Sequence, residues 1–481
     1  FTFREEGFPN SGSNREIVGN GTFFHNDRYV PHLGYDPNLE ITAPNERRDH
    51  DLPERARMAT VDDAEARMHT YISREAAWID FSATVSTSAD QVALAPGYLV
   101  KEWTEGGRRY FRYEMDAPIL NFYGFLSGKY TVARDRWNDV EIAVYHHDQH
   151  GRNVPRMIES VKKSLDYFSA NFSPYQHRQL RIVEFPRYAS YAQSLPNIVP
   201  YSESIGFIAD LRDPDDIDYV FYVTAHEVAH QWWAHQVIGG DVQGSTLMSE
   251  TLAQYSSLMV REKEYGRAGM RKFLRHELDA YLMGRANELH RELPIMLVEN
   301  QGYVHYNKGS LVMYALREYL GEEALNRALA QYIRDVAFQA PPYTNSIEFV
   351  AAIRAVTPKK FEYVIEDLFE TITLHDNRTT HATAHQLADG RWEVGLTVKI
   401  SKVRADDKGA ETEAPVDDWI HVGGLDEDDK PIGVQLVHVD GETSSITFVM
   451  DEKPAKAGVD PRGILVDRDP DDNLVKVEID G

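Results

Sequence analysis

The chain is 481 residues long, 42% apolar and 26% charged, the balance of a folded protein with room for two or three domains. Its formal net charge of -25 argues against a nucleic-acid partner, because binding a polyanion rests on Lys and Arg neutralising phosphates. Cysteine is absent, which excludes disulfides, thiolate catalysis and Cys-ligated zinc, so any metal site must draw on His, Asp and Glu.

Residues 1–65 are rich in Asn, Gly, Pro and charge and read as long loops with a few strands. From Ala77 to about Val144 short β-type runs dominate, such as Trp78–Val85 and Val140–Tyr145. Helical periodicity begins near Val154, where Met157, Val161, Leu165 and Phe168 recur every three to four residues. A strand over Leu180–Phe185 follows, and then several helices run to about Ile372. They include Leu311–Leu320 and Ser346–Val356, the latter opening on Ser346 as its expected cap. Beyond His375, the residues Trp392, Val394, Leu396, Val398 and Ile400 alternate with polar neighbours as a half-buried strand does. The acidic stretch Ala405–Asp418 reads as a loop, and Val434–Val439 and Ile446–Met450 as further strands. The expected organisation is therefore multidomain α+β, with a β-rich region at 1–145, a helical domain at 146–375 and a C-terminal β-domain at 376–481. No run approaches the roughly 20 apolar residues that cross a bilayer as a helix.

One segment carries chemistry. His226-Glu227-Val228-Ala229-His230 is an H-E-x-x-H pentapeptide in a helical setting. Residues four apart lie on one face of a helix, so both imidazoles reach one metal ion while Glu227 is placed to act as a base on its water. A catalytic zinc ion takes three protein ligands and leaves a fourth position open. Glu250, separated from His230 by nineteen residues and set in the helical run Met248–Tyr255, is the expected third ligand, with Asp241 as the fallback. A single Zn2+ ion held by His226, His230 and Glu250 is thus the cofactor expected.

These motifs resemble those of the gluzincin peptidases, and most closely the M1 family of aminopeptidases. The family usually places its third ligand after eighteen intervening residues, and one extra residue near Ala234 accounts for the difference. Two further segments carry the likeness. His305-Tyr306-Asn307-Lys308-Gly309-Ser310 is similar to the family's Y-E-K-G-A, which implies that Tyr306 steadies the oxyanion. Tyr201-Ser202-Glu203-Ser204-Ile205-Gly206-Phe207 stands where the family carries G-A-M-E-N-W-G, which implies that Glu203 binds the α-amino group of a peptide.

The resemblance implies a thermolysin-like helical zinc domain, a C-terminal β-sandwich-like domain and an N-terminal β-domain that is incomplete here. It also implies hydrolysis of N-terminal residues from peptides. Ala117–Tyr123 and Val459–Arg462 look like the M1-type domains attached to bacterial ABC-type permeases, implying an extracytoplasmic domain tethered to a membrane-bound parent. Two other readings stand beside this one: a thermolysin-like endopeptidase, and a peptide-binding or sensing module of a transporter with little hydrolysis. Elsewhere, the spaced acids from Asp467 to Asn473 read as a solvated turn, and His146, His147, His381 and His385 as structural or exposed histidines.

Overall fold

A computed structural model describes residues 16–31, 40–73, 76, 78–213 and 216–479. They divide into two compact units, the described residues up to 249 with 330–345, and residues 250–329 with the described residues from 346 onward.

The first unit is built on a four-stranded sheet of β1 (Thr131–Trp137), β2 (Val140–His146), β3 (Gln179–Phe185) and β4 (Ile198–Ser202), in the order β4-β3-β2-β1. β2, β3 and β4 run parallel, and β1 pairs antiparallel at one edge. The sequence shows why β2 and β3 are central. Both are buried almost end to end, whereas β1 is mostly exposed or half-buried, as suits an edge. Helix α1 (Val154–Asn171) buries the predicted stripe of Met157, Val161, Leu165 and Phe168. It packs on helix α2 (Tyr219–Ala229), and the Ser160 hydroxyl donates to the Phe221 carbonyl at 2.7 Å. The strands before residue 130 form smaller antiparallel sheets, which share a core of Phe23, Phe111, Tyr113 and Leu126 with Val183 and Phe185, whereas the expected strand Val140–Tyr145 is β2 of the main sheet.

The second unit holds helices α3 (Leu252–Tyr265), α4 (Met270–Ala286) and α5 (Gly309–Leu320), followed in the chain by the β-rich residues after Ile372. Its two four-stranded sheets are built around Trp392–Lys399 and Asp418–Leu425. Val394, Leu396 and Val398 from one and Ile420 and Val422 from the other enter a single core, so the β-sandwich-like expectation holds. Three local expectations need correction. The Ala405–Asp418 loop contains a short strand, Glu411–Glu413, paired with Lys402–Ala405. Ser346 does not cap its own helix but donates its hydroxyl to the Met296 carbonyl at 2.5 Å. Asp467 is fully buried rather than solvated, and its carboxylate accepts from the Asn377 and Asp469 backbone amides and from Asn473. Burial pushes its pKa up to about 6. Among the described residues, no helix is long and apolar enough to cross a membrane.

Close approach in the second unit depends on Gly284 of α4. A Cβ added there would stand 2.3 Å from Cβ of Tyr303, well inside van der Waals contact. Gly284→Ala is therefore expected to destabilise the protein by about 1–3 kcal/mol in urea unfolding.

Candidate metal centre

Helix α2 begins at an N-terminal cap. The Asp218 carboxylate accepts from the Phe221 amide at 2.9 Å, satisfying one of the donors that a helix start leaves open. Its other oxygen accepts from Arg156 Nε of α1 at 2.8 Å. This fixes the phase of a helix that is apolar on nearly all sides and carries His226, Glu227 and His230 near its end. The three are 8%, 6% and 7% exposed, a costly burial for ionisable groups unless something compensates them.

The imidazoles show what that something is. His230 donates from Nδ1 to the Trp233 carbonyl at 2.9 Å, which leaves its Nε2 with a lone pair. That Nε2 stands 3.0 Å from Nε2 of His226, with the two rings perpendicular at 89°. Glu250 lies in a π-helical turn, Leu247–Thr251, and offers a carboxylate oxygen to the same point: the ligand atoms of His226, His230 and Glu250 all lie within 4.8 Å of one another. Two imidazole nitrogens and one carboxylate are a donor set that zinc accepts, with a fourth position left for solvent or substrate. Just after α2, Ala234 adopts φ 150°, a strained backbone for alanine.

The segment carrying Tyr306 is a second π turn, Tyr303–Lys308, leading into α5. Such turns insert one extra residue into a helix and recur at functional sites. Thr251, next to Glu250, donates its hydroxyl to the His305 carbonyl at 2.6 Å, tying the two turns together. Gly309 makes the contact possible, since a Cβ there would meet the Thr251 hydroxyl at 2.7 Å. Lys308 is buried and pairs with Glu292 at 3.2 Å, while Asn307 donates to Glu277 of α4 at 2.8 Å. The ring of Tyr306 is held edge-on to His305 and is 36% exposed. None of these supports was legible in the sequence, because each joins residues remote in the chain through a backbone carbonyl or a buried carboxylate.

The remaining expected residues lie elsewhere. Asp241 donates its backbone amide to the His69 carbonyl and is not part of the His226 group. Glu203 follows β4, and its carboxylate accepts from the Arg187 amide at 3.2 Å and lies 3.9 Å from His150 Nδ1. With His147, His150 and Glu184 it forms a second cluster of possible ligands. His147 was expected to be merely structural, and the sequence held no signal for this cluster. His381 and His385 are exposed partners of Glu478 and Glu393.

His226, His230 and Glu250 form a group able to hold a metal ion, on a multidomain α+β fold. Residues 156–378 match the model of the peptidase family M1 domain. The chain is 23% identical over 272 residues to aminopeptidase M1 of Arabidopsis thaliana, an alignment covering 54% of this chain and 30% of that protein. It is 23% identical over 208 residues to endoplasmic reticulum aminopeptidase 2 of Homo sapiens, covering 42% and 22%. Against probable aminopeptidase 1 of Sulfurisphaera tokodaii it is 26% identical over 190 residues, covering 38% and 24%. The alignments thus span less than a third of each of these relatives. Among solved structures, Legionella pneumophila aminopeptidase A, in complex with aspartic acid, shares the fold with a TM-score of 0.55 at 17% identity, over 84% of this chain and 45% of that one.

Burial pushes the Glu277 carboxyl up to about 7, against the hydrogen bond from Asn307, which pulls it down. A raised carboxyl means that the folded state holds its proton more tightly than the unfolded state does. Its contribution to stability therefore declines as pH rises from the ordinary value of 4.5 to about 7 and stays unfavourable above that. Glu277→Gln is expected to match wild type near pH 4 and to exceed it by on the order of 2–3 kcal/mol near pH 8, measured by urea unfolding at both pH values.

Proposed function

We propose that the chain is a zinc-dependent peptidase that removes N-terminal residues from peptides, with His226, His230 and Glu250 as the metal ligands. The observation that carries the reading is the convergence of those three ligand atoms within 4.8 Å on a helix whose next residue after the first ligand is Glu227. When bound, the ion supplies Lewis acidity and makes water a nucleophile near neutral pH.

The chain's own groups do the rest. Glu227 takes a proton from the attacking water and delivers it to the leaving amine. The Tyr306 phenol donates to the oxyanion as the carbonyl becomes tetrahedral. Glu203 pairs with the ammonium of the substrate, which sets the cut at the first peptide bond. The relatives named aminopeptidases support the exopeptidase reading over the endopeptidase and sensing readings. The partners proposed are peptides. Attachment to a membrane permease rests on the Ala117–Tyr123 and Val459–Arg462 likenesses alone.

Glu227→Gln is expected to lower kcat by at least about 10²–10⁴-fold while the protein retains its zinc by elemental analysis. Full-rate cleavage by that variant would overturn the mechanism. In the same assay wild type should cleave free peptides and leave N-acetylated ones intact; equal cleavage of both would assign an endopeptidase instead. Tyr306→Phe should cost about 10²–10³-fold in kcat with little change in KM, since a donor to the oxyanion acts only in the transition state.

A further inference from the structure

The second cluster stands at the carboxyl end of the parallel strands in the first unit. His147 follows β2 directly, Glu184 is the penultimate residue of β3, and Glu203 follows β4. His150 reaches the same point from the short helical turn Asp148–His150. This end of a parallel sheet is where such folds place their ligands.

Glu184 is the centre of it. Its side chain has no solvent exposure, and its charged partners among the described residues are two imidazoles, with no Lys or Arg. Oε1 takes both Nδ1 of His147, at 3.0 Å, and Nδ1 of His150, in a closer contact, while Oε2 accepts from the His147 amide at 2.7 Å. His147 is held in place from both sides. The ring of Tyr130 stacks on it with centroids 5.7 Å apart, and the Tyr130 hydroxyl donates to the Glu184 carbonyl at 3.1 Å. The hydrogen bonds nevertheless leave His147 Nε2 buried without a partner.

Two imidazole nitrogens crowding one buried carboxylate oxygen is the arrangement a divalent ion resolves. Neutral imidazoles then give lone pairs, and the carboxylate charge is matched without a basic side chain. Around tetrahedral zinc, ligand atoms stand about 3.3 Å apart, as metal–ligand distances near 2.0–2.1 Å require. The four candidate atoms here already lie within 4.8 Å of one another. Glu203 adds negative charge at the rim, partly offset by Arg187, whose Nε is 3.8 Å away and well exposed.

We infer that His147, His150 and Glu184 form a second metal site, distinct from the His226 centre, that binds a divalent transition ion such as Zn2+. The mixed nitrogen and oxygen donors select this class over Ca2+ and Mg2+, which take oxygen ligands. The ion ties the segment after β2 to β3 and so stabilises the first unit. Glu203, assigned above to the substrate ammonium, is outside the ligand set, and the test leaves it intact.

The test is Zn2+ titration of metal-stripped protein by calorimetry, with stoichiometry checked by elemental analysis. Wild type is expected to take two equivalents. The double variant His226→Ala/His230→Ala should keep one and gain thermal stability on binding it. His150→Ala, at a partly exposed position that tolerates truncation, should also keep one. A double variant that binds none, or a His150→Ala protein that binds as many equivalents as wild type, would each overturn the proposal; wild type taking one equivalent while the double variant also takes one would count against the His226 centre instead. Because the double variant reads the second site in a protein without the first, failure here is separable from failure of the peptidase reading.

Discussion

Two imidazoles one helical turn apart, buried and facing each other nitrogen to nitrogen at 3.0 Å, are the constraint around which the candidate centre is arranged. Left alone they would repel on protonation or waste their lone pairs when neutral, and burial makes either outcome expensive. The structure answers with directional support. Trp233 fixes the tautomer of His230, Asp218 and Arg156 fix the start of the helix, and Glu250 brings a negative charge to the same point. Each support acts on where a lone pair aims, which is what a metal centre needs from its surroundings.

The helices are irregular at two of the candidate site residues. Glu250 and Tyr306 both sit in π turns, each of which shifts a side chain off the face that regular spacing would give it. An irregular turn has weaker hydrogen bonding of its own and needs bracing from outside. Thr251 with His305, Lys308 with Glu292 and Asn307 with Glu277 supply it. Of these, Lys308 with Glu292 is a buried ion pair, so removing one of those partners leaves an uncompensated charge. The second histidine cluster follows the same physical logic on a different scaffold, with strand ends in place of a helix face.

Much of this was legible in the order of residues. A period of four on α1 and of two on the strand at Trp392 reports which face is buried, because side-chain direction is set by backbone geometry. H-E-x-x-H is legible for the same reason: both histidines and Glu227 belong to one helical segment, and a single periodicity relates them. Glu250 was reached by interval and Tyr306 by motif, and the interval contained the irregularity at Ala234. The short strand Glu411–Glu413 and the buried Asp467 escaped because charged side chains argue for solvent unless a distant partner receives them.

What the sequence determined by itself is the local donor set: a cysteine-free chain in which one helical segment presents two imidazoles and a carboxylate at neighbouring positions. What only tertiary structure decided is which distant residues meet. The bond from Thr251 to His305 and the gathering of His147, His150 and Glu184 join segments separated by dozens of residues. No local periodicity links such positions. Their meeting follows from parallel strand order and close packing, both properties of the folded chain as a whole.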